Sequence, residues 1–214
     1  MTTAIIGVGN LGSAIARHLV AGDERVVLAA ADEAHAQELA EKLGPNASAA
    51  PVEDAIAGAD IVVLATWLDQ TRELAPAQTR LLEDKVVVDP SNPIGFDENG
   101  QMFRTLPEGE SSGSVVAGLL PASAHYVKAF GTLGADQLAT GAHHEPRIVL
   151  FYATDDDAAE ATAQRLIRAA GFEPLKVGGV ADAGRIEGPG GDLQGRTLDL
   201  DQALAAIATE GVNS

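Results

Sequence analysis

Six residues constrain this chain more than any others: Gly7-Val8-Gly9-Asn10-Leu11-Gly12. They end an apolar run expected as a strand over residues 3–8. They also open a segment, 11–21, in which Leu11, Ala14, Ile15, His18 and Leu19 recur at helical spacing. A G-x-G-x-x-G turn between a buried strand and a helix is the context that dinucleotide binding requires. Gly7 permits the tight turn. Gly9 lets the backbone approach a pyrophosphate, where a Cβ would intrude. Gly12 lets the helix lie close to the strand. The start of the helix then presents unpaired N–H groups and a positive dipole end to phosphates. The bland alternative is a glycine turn that binds nothing.

Strand and helix go on alternating. Strands are expected at 25–30, 60–65 and 85–89, and helices at about 33–43, 51–57 and 70–82. The strands are unbroken apolar runs, which suit a parallel sheet covered on both faces. This spacing implies an α/β, doubly wound Rossmann fold, with a mostly parallel sheet and helices on both faces. Residues 90–112, rich in Pro, Gly and Ser, read as one long loop. A helix at 113–120, strands at 125–130 and 147–153, and a helix capped by Asp155 or Asp156 and running to Ala170 follow. Residues 1–177 are expected as the NAD(P)-binding domain. Residues 178–214 are expected as a short C-terminal appendage: a glycine-rich segment, then a helix carrying Leu198, Leu200, Ala203, Leu204 and Ile207. Aromatic residues are only 4% of the chain, so Ala, Val, Leu and Ile must build the core.

Charge and composition exclude several functions. Thirty-one acidic against 14 basic residues give a net charge of −17, so neither nucleic acid nor an anionic membrane surface is an expected partner. Without cysteine there is no disulfide, thiolate nucleophile or Cys-based metal site. His143-His144-Glu145 lacks a third ligand at fitting spacing and reads as a surface loop, so no metal is expected. No basic region precedes the first apolar run, as a signal peptide would need, and a cytoplasmic location is expected.

Other candidates lie at expected strand ends, where open α/β sheets bind ligands. Thr66 and Trp67 follow the strand at 60–65, and Trp67, the only tryptophan, is placed to stack on a ring or to pack as an interface aromatic. Asp89-Pro90-Ser91-Asn92-Pro93 ends the next strand, as a cleft wall or a proline-fixed turn. Asp32 stands about 20 residues beyond Gly12, either to bind a ribose or to cap the next helix. No arginine lies between Arg25 and Lys42 to meet a 2′-phosphate, so the residues alone lean to NAD. Lys128 is read either as a surface lysine or as a counter-charge to an anionic ring or phosphate.

Ile5 to Gly12, Val86 to Pro93 and Tyr126-Val127-Lys128-Ala129-Phe130-Gly131-Thr132 occur in this order. Together they resemble the NADPH:F420 oxidoreductase family, which works with a deazaflavin coenzyme. They also resemble the related cytosolic reductase domain of six-transmembrane metalloreductases. Gly171 to Leu175, Gly178 and Ala183 to Glu187 extend the resemblance, which covers roughly residues 4–187. It implies an NAD(P)-dependent oxidoreductase that sets nicotinamide against a second flat ring, coenzyme F420 or a flavin. By position, Gly9, Asn10 and Leu11 would meet the pyrophosphate, and Thr66 and Trp67 the nicotinamide. Ser91, Asn92, Pro93 and Ala129, Phe130, Gly131 and Thr132 would wall the cleft.

Three departures stand out. Ala29-Ala30 replaces the family's Ser-Arg pair, Gly131 replaces its usual His, and Gly188 to Arg196 with one short helix replaces its apolar C-terminal helices. Those helices serve the family's homodimer, which is also the partner implied here. Hydride transfer between two stacked rings needs no protein acid or base, so no catalytic residue is assigned. Two other readings stay open. One is reduction of a small imine or ketone, with Lys128, Asp89 or Tyr126 as proton donor. The other is a dinucleotide sensor that turns nothing over.

Overall fold

The computed structural model describes residues 1–208. The strands are β1 (Thr2–Ile6), β2 (Arg25–Ala29), β3 (Ala47–Ala49), β4 (Ile61–Leu64), β5 (Val86–Asp89), β6 (Ile94–Phe96), β7 (Met102–Arg104), β8 (His125–Ala129), β9 (Val149–Ala153) and β10 (Glu173–Gly178). The helices are α1 (Asn10–Ala21), α2 (Glu33–Leu43), α3 (Val52–Gly58), α4 (Leu68–Ala77), α5 (Thr79–Leu82), α6 (Ser112–Ala117), α7 (Ala135–Gly141), α8 (Asp157–Ala169) and α9 (Leu200–Ala208). A 3₁₀ segment spans Val180–Ile186.

Eight strands form one sheet in the order β10-β9-β8-β5-β4-β1-β2-β3. Neighbours run parallel except β8 with β9. The chain order reverses direction between β1 and β4, which makes their carboxyl ends the topological switch point. This is the doubly wound Rossmann fold.

The period of two along each strand explains why both faces must be covered. Ile5, Val63, Val88 and Val127 point to one face and pack with α1, α2 and α8. Ala4, Ile6, Val62, Leu64 and Val87 point to the other and pack with α3, α4, α5 and α6. Beyond β8, a third cluster continues this cover. Val149, Phe151 and Ala153 of β9 meet Ala183, Ile186, Leu193, Ala203 and Ala206. The C-terminal segment therefore lies on the sheet, with the 3₁₀ segment and α9 as its roof. On α9 Ala203 and Ala206 are buried, while Leu200 and Leu204 are exposed. No helix of the described residues is long and apolar enough to cross a membrane.

Several elements differ from the sequence reading. Residues 90–112 contain an antiparallel hairpin of β6 and β7 as well as the start of α6, because Asn99 and Gly100, with Gly100 at φ +76°, turn the chain. The helix expected at 70–82 starts earlier and breaks at Gln78, two residues after Pro76. β3, α7 and β10 were not expected. β3 is three half-exposed residues at the sheet edge, and α7 buries only Leu138 and Gly141. The strand expected at 125–130 ends at Ala129, because Phe130 turns to φ +67°, a left-handed conformation that bulky residues rarely adopt.

Candidate functional site

The carboxyl ends of β1 and β4 bring the glycine turn against the start of the next loop. Gly7 has φ +100°, and a Cβ there would lie 2.4 Å from the Ala65 carbonyl oxygen. A Cβ on Gly12 would lie 1.9 Å from the carbonyl oxygen of Gly7. Both glycines are therefore demanded by the packing of turn, helix and β4 loop. Gly9 is different: nothing lies within 4 Å of where its Cβ would be. Its backbone, at φ −66° and ψ −168°, suits any residue. The protein itself thus gives no reason for glycine at position 9, whereas a ligand laid against this turn would.

The start of α1 is open in a second way. Side chains of Asp32, Ser111 and Asp156 cap α2, α6 and α8, but no side chain caps α1, and its first turn carries no acid. Gly9, Asn10 and the half-buried Leu11 therefore border a positive helix end facing the crevice. Thr66 lies beside this turn and bonds to Thr71 through their hydroxyls at 2.8 Å. Asp32, at the carboxyl end of β2, accepts the His35 N–H at 3.2 Å, so it does cap α2.

The far wall comes from β5 and β8. Asn92 donates through Nδ2 to the Gly131 carbonyl at 2.8 Å and accepts the Gly188 N–H at 2.9 Å. One side chain thus ties together the loops after β5 and β8 and the C-terminal segment. Pro93 is buried and its carbonyl accepts the Thr105 N–H, which anchors the hairpin. Ala129 and Phe130 are buried at the end of β8. At Gly131 a Cβ would meet the Pro90 carbonyl oxygen at 2.4 Å, so no larger residue fits unless the β5 loop moves. Trp67, 58% exposed, stands on the rim and meets Phe96 of the hairpin edge-to-face, with ring centroids 6.1 Å apart. Phe96 was missed from sequence, because the hairpin that presents it read as loop.

Beneath this wall lies a buried ionic cluster that the sequence did not reveal. Lys128 is 1% exposed, so it is no surface lysine. The register pairs Asp89 of β5 with Lys128 of β8. Its ammonium donates to Asp89 Oδ2 at 2.9 Å, to Ser112 Oγ at 2.7 Å and to the Ser91 carbonyl, with Glu187 Oε1 at 3.6 Å. Tyr126 donates its hydroxyl to the same Asp89 oxygen at 2.8 Å. Glu187 accepts the N–H groups of Ser112 and Gly113 at 2.8 and 2.7 Å. Burial, and then the charge and hydrogen bond of Asp89, push the Tyr126 hydroxyl well above its ordinary pKa and keep it a donor. All of these side chains are turned toward one another and away from solvent. His143, His144 and Glu145 are exposed, and among the described residues no three His, Asp or Glu side chains converge as metal ligands would.

Comparison with known proteins bears on this site. A family model described as NADP oxidoreductase, coenzyme F420-dependent, matches residues 2–93. The structure of a hypothetical protein from Sinorhizobium meliloti superposes with a TM-score of 0.82 at 31% identity, covering 93% of this chain and 95% of that one. A structure from Arthrobacter sp. FB24, with a proposed role as F420-dependent NADP reductase, gives a TM-score of 0.74 over 86% of this chain and 87% of that one. At 24% identity it bears on the fold alone. The metalloreductase STEAP3 of Rattus norvegicus is 28% identical over 183 residues, which are 86% of this chain and 35% of that protein. The chain thus spans about a third of the length of this curated relative.

Proposed function

The chain belongs to the coenzyme F420-dependent NADP oxidoreductase family, and from that premise we propose that it transfers hydride between a nicotinamide dinucleotide and a flavin or deazaflavin ring. The observation that carries this reading is the glycine turn: an uncapped helix start beside a Gly9 whose missing Cβ leaves open space. In this reading Gly7, Gly9, Asn10, Leu11 and Gly12 hold the pyrophosphate. Thr66 and Trp67 border the nicotinamide. Asn92, Pro93, Ala129, Phe130 and Gly131 form the wall that keeps water from one side of the rings. When bound, the nicotinamide supplies the hydride chemistry. The residues around it bind, orient and exclude water.

Reduction of a small imine or ketone would need a proton donor facing the cleft. Lys128, Asp89 and Tyr126 are buried and bonded to one another, which weighs against that reading. Steady-state oxidation of NADH and NADPH with flavins, deazaflavin, imines and ketones separates the readings. Turnover is expected with ring acceptors. Turnover with imines or ketones alone would favour the second reading, and tight cofactor binding without turnover would make the chain a sensor. On the proposed reading the chain is cytoplasmic, with residues 1–177 binding cofactor. The exposed Leu200 and Leu204 on α9 support a homodimer through the 178–214 segment.

The cofactor itself is open to test. Arg25 starts β2, at the end opposite the crevice, and Lys42 lies in the last turn of α2, paired with Glu38 at 2.6 Å. Ala29 and Ala30 offer no donor to a 2′-phosphate, and Asp32 adds negative charge beside it. NADH is therefore expected to bind at least as well as NADPH, and Ala30→Arg should shift preference toward NADPH. Competition binding decides this. A preference for NADPH of about tenfold, roughly 1.4 kcal/mol, in the unaltered chain would show that other residues hold the phosphate.

A further inference from the structure

The two ends of the crevice differ in charge. At the glycine turn, phosphates would meet the uncapped start of α1. The other end is a groove of about 320 Å³ formed by Trp67, Leu68, Ile94, Gly95, Phe96 and Thr105, with Asp69 at its edge. That volume lies at the small end of ligand pockets, roughly 300–1,000 Å³. Its two aromatic rings are more than half exposed. An exposed tryptophan and phenylalanine, set edge-to-face across an open groove, offer apolar faces to a planar ring.

The surrounding charge is strongly one-sided. The segments 67–73 and 94–105 that build the groove and its hairpin carry Asp69, Glu73, Asp97 and Glu98 against two arginines. Both arginines are held in place and keep their charge, so the acids still outnumber them. Arg72 pairs with Asp69 at 3.8 Å. Arg104 donates to the backbone carbonyls of Pro189, at 3.1 Å, and Glu110. The hairpin turn is itself organised around an acid, since the Asp97 carboxylate accepts the N–H groups of Asn99 and Gln101 at 2.9 and 2.8 Å.

Resting on the hydride-transfer reading, we propose that the Trp67–Phe96 groove selects a planar aromatic acceptor that carries no negative charge. Phosphorylated flavins and deazaflavins with anionic tails are disfavoured there, because their charge would add to that of Asp69 at the groove's edge and of Asp97 and Glu98 next to Phe96 in the chain, a repulsion that acts over about one Debye length, roughly 10 Å at 0.1 M salt. A ring bearing only neutral or cationic substituents meets no such repulsion.

Riboflavin and flavin mononucleotide share one ring and differ by a phosphate, so they isolate the charge effect. Calorimetric titration of each into the protein saturated with its preferred oxidised nicotinamide cofactor should show riboflavin binding about fivefold or more tightly at low salt. The gap should close to within about twofold at 0.5 M salt, where screening reaches only a few ångströms. The doubly substituted Asp69→Lys, Asp97→Lys chain should bind the two flavins equally at low salt, and Trp67→Ala should weaken both. Equal or tighter binding of the mononucleotide by the unaltered chain would overturn the proposal, as would a preference indifferent to salt and to the two lysines. Failure of both flavins to bind would also overturn it. Hydride transfer, followed separately by cofactor absorbance, tests the functional reading. Charge-selective binding without turnover sinks that reading and leaves the groove's selectivity standing, whereas turnover with equal use of both flavins does the reverse.

Discussion

Lys128→Met is expected to lower folding stability by about 3–5 kcal/mol, the usual cost of removing one partner from a buried ion pair. For a chain of this size that is a fall in melting temperature of roughly 6–20 °C. Methionine is close to lysine in shape, so packing is largely kept and the loss is electrostatic. Without the ammonium, the Asp89 and Glu187 carboxylates are left buried with no cation between them. Ser112 Oγ and the Ser91 carbonyl lose a donor as well. Glu187→Gln should cost clearly less. It leaves Lys128 balanced by Asp89, and the amide oxygen can still accept one of the two N–H groups at the start of α6. Urea unfolding of both variants gives the comparison. A loss below about 1 kcal/mol for Lys128→Met, with an unchanged denaturant slope, would show that water reaches the carboxylates and that the cluster is not sealed.

That cluster marks the limit of what one sequence displays. Asp89, Tyr126 and Lys128 were each visible as polar residues of expected strands, but their meeting depends on β5 pairing with β8 in one register. Nothing local fixes a pairing between residues almost 40 apart, and Glu187 arrives from the far side of two more strands. The parallel core, by contrast, was legible. Val86 to Val88, Ile61 to Leu64 and Val149 to Ala153 are apolar on both faces, and only a sheet covered twice has use for such runs. α1, α2 and α8 were legible too, through the helical spacing of their buried alanines and leucines. β3 carries almost no signal, being Ala-Ser-Ala at an edge. The hairpin did carry one: Asn99-Gly100 between Ile94 and Phe103 is a strong turn dipeptide, masked by the Pro and Gly around it. Missing it also meant missing Phe96, the partner of Trp67.

The second large effect is on binding, and it turns on two glycines three residues apart. Gly9→Val is expected to weaken dinucleotide affinity by at least about 100-fold, roughly 2.7 kcal/mol. The melting temperature should move by no more than about 2–4 °C. The backbone at position 9 is extended, where valine is at ease, and its Cβ would enter space the protein leaves open. Only a ligand lying on the turn would be displaced. Gly12→Val makes the opposite case. Its Cβ would lie 1.9 Å from the Gly7 carbonyl oxygen, so α1 must lift from the sheet and the fold must suffer, by about 1–3 kcal/mol or more. Loss of binding there would say nothing about where the ligand lies, because a displaced helix takes the whole turn with it. The two variants are informative together, with calorimetry for the cofactor and thermal melts for the fold. If Gly9→Val kept full affinity, the dinucleotide would have to bind away from the α1 start. Thr66, Trp67 and the Asn92 wall would then lose their assigned neighbour, since each is placed by reference to that turn.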